Sequence, residues 1–258
     1  MFTSTKAIER NELLLHYQPI VDLQSGALTG VEALVRWNHP EFGLLLPEKF
    51  IPLAQETGLI IDLGRWVLRQ ACRQARLWHH EGRGHRDLSI SVNISAIEFD
   101  QAQLITIISH ALAETGISPK QLELEISEST LMRDAETSIK VLQALKDMDI
   151  RIAMDNFGTG YSSLRYLKHF SIDILKIDRS LIHDIIVDPD SSEIIAAIIA
   201  MAKNLDLSVH AAGVETKEQF DFLYHLRCER AQGFLFNRPM SAPEMQQLLA
   251  QRKIRALA

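Results

Sequence analysis

The sequence has little cysteine, no long apolar run and no excess of positive charge. Its 258 residues include only two cysteines, Cys72 and Cys228, and no Cys-x-x-Cys pair. Isolated thiols of this kind are typical of a reducing compartment, and we expect both to be buried and inert. The net charge of −6 is unfavourable for a nucleic-acid groove, which needs a clustered basic face. We therefore expect no nucleic-acid partner.

Signals for export and for membrane insertion are missing as well. The first residues, MFTSTKAIERNELLLHYQPI, carry charges where a signal peptide would have its apolar core. The longest apolar candidate, IIAAIIAMA at 194–202, is far shorter than the roughly 18 residues of a membrane span. It is more typical of a helix packed on a sheet. We expect a cytoplasmic domain without direct membrane insertion.

Short β-branched segments alternate with longer helical patterns. Strands are predicted in LLLHYQP, LTGVEALVRW, LSISVNIS, LELEIS, RIAMDN, DILKID, LSVHAA and RAQGFLF. Helices are predicted over 47–55, 63–80, 101–114, 135–148, 162–169, 192–204, 216–226 and 243–252. TKEQ at 216–219 and SAPE at 241–244 fit capping boxes at the starts of the helices predicted over 216–226 and 243–252.

Strand–helix repetition of this length indicates parallel βαβ units, which fit either an open doubly wound sheet or a closed (β/α)8 barrel. About eight strand signals without a linker-like break favour an α/β fold of the TIM-like (β/α)8 type. The turn DLQSGAL between two strand segments predicts that one strand pairs antiparallel. Residues 1–11 are predicted to be a linker or leading helix, and residues 12–258 a single domain.

The carboxyl ends of the predicted strands are unusually polar. In a (β/α)8 barrel these ends meet on one face, where chemistry is found. One or two polar residues there are compatible with a packed interior, but five or more, mostly oxygen donors, would repel one another without a cation. The absence of Cys or His at zinc spacing favours a hard ion, Mg²⁺ or Mn²⁺. The polar residues at the carboxyl ends of the predicted strands are Glu32, Asn93, Glu125, Asp155, Lys176 with Asp178, and Gln232.

An ordered set of motifs runs from about residue 12 to residue 249. They are YQPIVDLQSG, VEALVRWNHPEFG, FIPLAQETGLI, SVNIS, LELEISES, DNFGTGYSSL, LKIDRS, AAGVET and QGFLFNRP. Together they resemble the EAL family of cyclic di-GMP phosphodiesterases. The resemblance implies a TIM-like barrel with one antiparallel strand. It also implies hydrolysis of cyclic di-GMP to linear pGpG with two Mg²⁺ or Mn²⁺ ions.

The resemblance also assigns roles to individual residues. It implies that Lys176 steadies the attacking water and the phosphate, that Arg36 contacts a phosphate, and that Glu128 anchors the DNFGTG loop. The implied metal ligands are Glu32, Asn93, Glu125 and Asp155, with Asn156 offering one neutral amide oxygen. The implied catalytic residues are Lys176, Glu32 and Gln232, and the implied substrate contacts are Arg36, Gln18, Glu215 and Gln232.

Two positions depart from the family pattern. The resemblance implies a second metal held by an aspartate where this sequence has Asn156, and by a glutamate where it has Ala212. Two formal negative charges are therefore missing beside a doubly charged ion, and Glu215 lies too far along the chain to replace them well. Losing an outer partner of a metal ligand costs roughly 10–100-fold in affinity or activity, and losing two direct ligands should cost more. We expect cyclic di-GMP binding with little or no turnover.

Other functions fit the same residues. The chain is alternatively an active or residually active phosphodiesterase, or a scaffold that has lost the nucleotide. Natural loss of the two acids and deliberate replacement in an active enzyme would leave the same residues. His210 shares a strand face with Ala212, and we favour a packed core histidine over a replacement ligand. The resemblance further implies a homodimer and an attached regulatory or output domain.

Overall fold

A closed sheet occupies the centre of the molecule. The computed structural model describes residues 4–81, 87–159 and 164–251. β-branched and aliphatic residues pack well on both faces of a covered sheet. The segments that are rich in them therefore form strands, and these strands are largely buried. The strands are β1 (Leu13–Asp22), β2 (Leu28–His39), β3 (Gly43–Leu45), β4 (Ser89–Ile94), β5 (Leu122–Ser127), β6 (Arg151–Phe157), β7 (Ile174–Ile177), β8 (Ser208–Ala212) and β9 (Arg230–Gln232).

Eight of these strands close into a barrel in the order β1-β9-β8-β7-β6-β5-β4-β2, with β2 returning to β1. β1 runs antiparallel to both of its neighbours, and the other barrel pairs are parallel. The β1–β2 turn is stabilised by Asp22, whose carboxylate accepts from the Ser25 backbone N–H at 2.7 Å. Both the TIM-like barrel and the single antiparallel strand are confirmed.

Helices surround the barrel. Their caps include the predicted box at Thr216 and Gln219, and Ser241 donates to Glu244 at the start of the last helix. The helices are α1 (Ser4–Glu9), α2 (Ile51–Glu56), α3 (Ile60–Glu81), α4 (Ala96–Phe99), α5 (Leu104–Thr115), α6 (Glu128–Arg133), α7 (Ala135–Lys146), α8 (Leu164–Leu167), α9 (Arg179–Asp184), α10 (Pro189–Asn204), α11 (Lys217–His225) and α12 (Ala242–Gln251).

Several predicted boundaries are wrong. The helix predicted over 47–55 is a 3-10 turn, Pro47–Lys49, followed by α2, because Phe50 leaves helical geometry at φ −133°. The strand predicted as RAQGFLF ends at Gln232, since the backbone turns at Gly233. The short helices α4, α6 and α9 and the strand β3 were not predicted. Residues 162, 163 and 252 of two predicted helices lie outside the described residues.

The apolar segment at 194–202 forms part of α10, which packs against the barrel as predicted. Its Ile195, Ile198 and Ile199 are buried, whereas Ile194 is exposed. None of the described helices is both long and apolar enough to cross a membrane. Cys72 and Cys228 are fully buried, and burial raises the pKa of each thiol to about 12. The prediction of buried, inert thiols is thus supported by their environment.

Candidate functional site

Strand-end side chains converge on the ammonium group of Lys176 at the carboxyl end of the barrel. Lys176 Nζ, on β7, lies 3.1 Å from Glu32 Oε2 and 3.8 Å from Asp155 Oδ1, and it also contacts the Glu125 carboxylate. Glu32 accepts two further hydrogen bonds, from Asn93 Nδ2 at 2.8 Å and from Gln232 Nε2 at 2.5 Å. The structure therefore brings together six of the polar strand ends named from the sequence.

Burial and charge act against each other in this cluster. Although burial opposes its charged form, Glu125, Glu32 and Asp155 hold the pKa of Lys176 well above its ordinary value. Burial also opposes ionisation of Glu32, but the Lys176 charge and the Gln232 and Asn93 hydrogen bonds hold its pKa below the ordinary value. Burial and the Glu32 charge raise the pKa of Glu125 well above its ordinary value. The surroundings thus favour the charged forms of Lys176 and Glu32 and the neutral form of Glu125.

The donor set fits one divalent cation. Glu32, Glu125 and Asp155 carry three negative charges when ionised, so the single charge of Lys176 leaves two uncompensated. Glu125 Oε1 is buried and accepts no hydrogen bond from the described residues. As the side chains stand, no three Cys, His, Asp or Glu groups in the described ranges form a preassembled metal cluster. Carboxylate and amide oxygens are the ligands that Mg²⁺ and Mn²⁺ prefer, so the residues fit such an ion.

The residues at the second-ion positions lie on the same face. Asn156 follows Asp155 on β6 and is exposed, with a left-handed backbone (φ 56°) that asparagine tolerates better than most residues. Ala212 ends β8 opposite Gln232 on β9, and its methyl group offers no oxygen. Both residues line the cleft above Lys176. The positions are in place, but only Asn156 brings an oxygen to them.

A cleft of about 900 Å³ opens above the cluster. All four predicted substrate residues line it: Arg36, Gln18, Glu215 and Gln232. Burial lowers the pKa of Arg36, whose guanidinium donates to the Val35 carbonyl at 2.9 Å. The Gln18 amide donates to the Asn237 carbonyl at 3.2 Å, so it also supports the wall of the cleft. Glu215 is exposed at the rim.

Glu128 lies where a loop anchor would be expected. Its carboxylate accepts a hydrogen bond from the backbone N–H of Gly158 at 3.2 Å, which ties α6 to the loop after β6. Residues 160–163 of the DNFGTGYSSL motif lie outside the described residues. Asp178 caps α9 through its side chain, since it accepts from the backbone N–H of Ser180 at 2.8 Å. The geometry of these two acids is that of structural supports.

Several cleft residues were not predicted from the sequence. Glu48, Arg179, Phe234 and Arg238 line the same cleft, although none ends a barrel strand. Phe234 and Arg238 follow β9, Arg179 begins α9, and Glu48 lies in the 3-10 turn Pro47–Lys49, so strand-end polarity could not identify them. The sequence signal was position within a motif: Arg179 lies in LKIDRS, Phe234 and Arg238 lie in QGFLFNRP, and Glu48 closely precedes FIPLAQETGLI.

His210 points into the barrel, one strand from Lys176. It pairs in register with Lys176 on β7 and with Arg230 on β9, and its exposed fraction is 0%. Neither ring nitrogen has a hydrogen-bond partner among the described residues. Burial, with the charges of Lys176 and Arg230, lowers the pKa of His210 well below its ordinary value. It does not line the cleft, and it is a neutral core residue in this arrangement.

The sequence pattern that defines the EAL domain matches residues 3–239. The chain belongs to the EAL domain family. This confirms the resemblance drawn from the motifs. The EAL domain is 49% identical over 240 residues to the bifunctional diguanylate cyclase/cyclic di-GMP phosphodiesterase MucR of Pseudomonas aeruginosa, covering 93% of this chain and 35% of that protein.

Two further similarities concern an enzyme and a complex. Cyclic di-GMP phosphodiesterase NbdA of Pseudomonas aeruginosa is 44% identical over 95% of this chain and 31% of its own length. A solved structure of PaMucR phosphodiesterase in complex with c-di-GMP superposes with a TM-score of 0.91 and 48% identity, covering 94% of this chain and 97% of that one. The EAL domain spans about a third of the length of MucR and NbdA.

Proposed function

We propose that this EAL domain binds cyclic di-GMP and hydrolyses it weakly or not at all. The observation that carries the proposal is the position of Ala212, which faces the cleft at the end of β8 without an oxygen. The cleft, its cationic side chains and the complete first donor set support nucleotide binding. The relatives named as phosphodiesterases support the choice of cyclic di-GMP as the ligand.

The residues that would hold a first Mg²⁺ or Mn²⁺ are Glu32, Asn93, Glu125 and Asp155. A bound divalent ion supplies positive charge to a phosphate oxygen and lowers the pKa of a coordinated water. A second ion would have Asp155 and the neutral amide of Asn156 as its remaining protein ligands, which is a weak set. This difference between the two positions supports binding over turnover.

The chain's own residues orient the nucleotide. Arg36 presents a guanidinium to the cleft, where it can bind a phosphate through two parallel hydrogen bonds. Lys176 places a fixed positive charge beneath the phosphate, and Gln232 holds Glu32 in position. Glu128 restrains the loop that follows the ligands of β6. These groups bind and position the substrate whether or not it is cleaved.

Residual phosphodiesterase activity is the second candidate. It is favoured by Asn156, whose side chain remains at the cleft beside Asp155 and keeps one oxygen available. A scaffold without nucleotide affinity is less well supported, because the charged cleft residues Arg36 and Lys176 remain together.

The test compares the unaltered chain with Asn156→Asp, Ala212→Glu and the double variant. Cyclic di-GMP affinity is measured by calorimetry and pGpG formation by chromatography, each with Mg²⁺ or Mn²⁺. We expect micromolar or tighter binding by the unaltered chain. We expect more than about 100-fold recovery of hydrolysis only when both changes are made.

A matched control makes the same chemical changes outside the cleft. Ala200→Glu with Asn204→Asp adds two acids to the exposed face of α10. This variant should bind and hydrolyse like the unaltered chain. Equal turnover by the unaltered and double-reverted proteins would refute the second-ion argument, and loss of all nucleotide binding would favour the scaffold.

We also propose that the domain acts in the cytoplasm, attached to a regulatory or output domain, and that it forms a homodimer near the DNFGTG loop. The longer relatives support the attachment, since the chain covers only about a third of each. Light scattering of the domain tests the dimer. The domain boundary at residue 12 stays a prediction.

A further inference from the structure

The guanidinium of Arg238 lies over the ring of Phe234 on the wall of the cleft. The distance from Arg238 Cζ to the ring centroid is 4.2 Å, within the range of a cation–π contact. Both side chains line the cleft that also contains Lys176 and Glu32. Among the described residues, the guanidinium has this ring as its partner and makes no hydrogen bond or ion pair. Its N–H donors are therefore available to a ligand.

The segment that carries the pair is held at both ends. Leu235 N–H donates to the Val214 carbonyl at 3.0 Å, and Asn237 N–H donates to the Gly233 carbonyl at 3.2 Å. At the other end, Met240 and Tyr17 exchange two backbone hydrogen bonds of 3.0 and 2.7 Å. A ligand that contacts Phe234 or Arg238 therefore orders little additional chain, which favours affinity.

Phe234 is exposed to solvent at the cleft. The residue is 46% exposed even though Arg238 lies over its ring. A flat aromatic surface beside a planar cation is the combination on which proteins stack and read nucleobases. Arginine donates two parallel hydrogen bonds to O6 and N7 of guanine, whereas adenine presents an amino donor in place of O6.

We propose that Arg238, held flat by Phe234, recognises the O6/N7 edge of one guanine of a cyclic dinucleotide and thereby selects guanine over adenine. The inference rests on the proposed binding of cyclic di-GMP and names the residue pair that sets base specificity. Arginine suits this role better than lysine, because its fork of donors is planar and stacks on aromatic rings.

The experiment measures dissociation constants for cyclic di-GMP and cyclic di-AMP by calorimetry. Arg238→Lys keeps the charge but loses the fork, and we expect it to reduce the preference for cyclic di-GMP by about tenfold or more. Phe234→Leu should reduce the preference as well, because the guanidinium loses its support. Phe234→Tyr keeps the aromatic ring and should retain the preference for cyclic di-GMP.

Lys217→Gln is the matched control. Lys217 lies 6.0 Å from the Phe220 ring on α11, so it is a second cation–aromatic pair that does not line the cleft. Its replacement should leave both affinities unchanged. Equal weakening of both nucleotides by Arg238→Gln, with no change in preference for Arg238→Lys, would indicate a phosphate contact and overturn the inference. Failure of the unaltered chain to bind cyclic di-GMP would instead overturn the proposed function, and the inference with it.

Discussion

Lys176 and His210 are direct register partners on β7 and β8, yet only Lys176 has polar contacts inside the barrel. Lys176 forms ion pairs with carboxylates from three other strands. His210 lies fully buried at the same level with both nitrogens unpartnered among the described residues. Since a buried polar group without a partner costs about 1–3 kcal/mol, the imidazole is expected to weaken the fold.

His210→Leu is therefore expected to raise the free energy of unfolding by about 1–3 kcal/mol at pH 7, measured by urea denaturation in metal-free buffer. The gain should widen as the pH falls. Because burial lowers the pKa of His210 in the folded state, the unfolded chain binds an extra proton below about pH 6.5, and the unaltered protein loses stability there. The leucine variant lacks this loss.

The control for this change is His110→Leu on the exposed face of α5, which should alter the free energy of unfolding by no more than about 0.5 kcal/mol. A large destabilisation by His210→Leu would show that the imidazole has a partner, such as a buried water.

Lys176→Met tests the charge balance of the cluster. Removing the ammonium that pairs with Glu32, Glu125 and Asp155 leaves buried carboxylates without their ion-pair partner, and we expect a loss of about 3–5 kcal/mol in the free energy of unfolding. Added Mg²⁺ should recover part of this loss. The measurement is urea denaturation with and without the ion.

Lys146→Met provides the comparison, since Lys146 pairs with Asp173 at 2.6 Å in a partly exposed position. A pair of that kind contributes at most about 1 kcal/mol. Equal losses for the two variants would contradict the account of an electrostatically coupled centre.

Gly233→Ala tests why the strand that carries Gln232 stops where it does. A Cβ at this position would lie 2.0 Å from the Val214 carbonyl oxygen and 2.3 Å from its backbone nitrogen. Because these are backbone atoms, which cannot move aside as a side chain can, we expect the free energy of unfolding to fall by about 3 kcal/mol or more. Cyclic di-GMP binding should weaken too, as Gln232 and Phe234 flank the glycine.

Gly43→Ala separates crowding from backbone strain. Gly43 has φ +68° but no atom within 4 Å of the added Cβ, so its substitution should cost only about 1–2 kcal/mol. Chemical denaturation of both variants gives the comparison. Similar losses would mean that contact with Val214 is not what requires glycine at 233.

Much of the barrel was predictable because its signals are local. β-branched runs, capping residues and the DLQSGAL turn each act over a few residues, and they predicted the strand–helix order and the antiparallel strand correctly. The prediction failed where a distant segment decides the backbone. The sequence predicts a strand that continues to Phe236. In the structure, Gly233 packs on the Val214 backbone and the chain turns out of the sheet after Gln232.

The sequence by itself determined which side chains end the strands, because strand alternation and the motifs place Glu32, Glu125, Asp155 and Lys176 there. Only the tertiary structure decided how these groups share charge. Closure of the barrel brings carboxylates from three other strands within ion-pair distance of the Lys176 ammonium group. It also puts Arg238 against Phe234 at the cleft and leaves His210 without a partner, since such contacts depend on strands and loops that are distant in sequence.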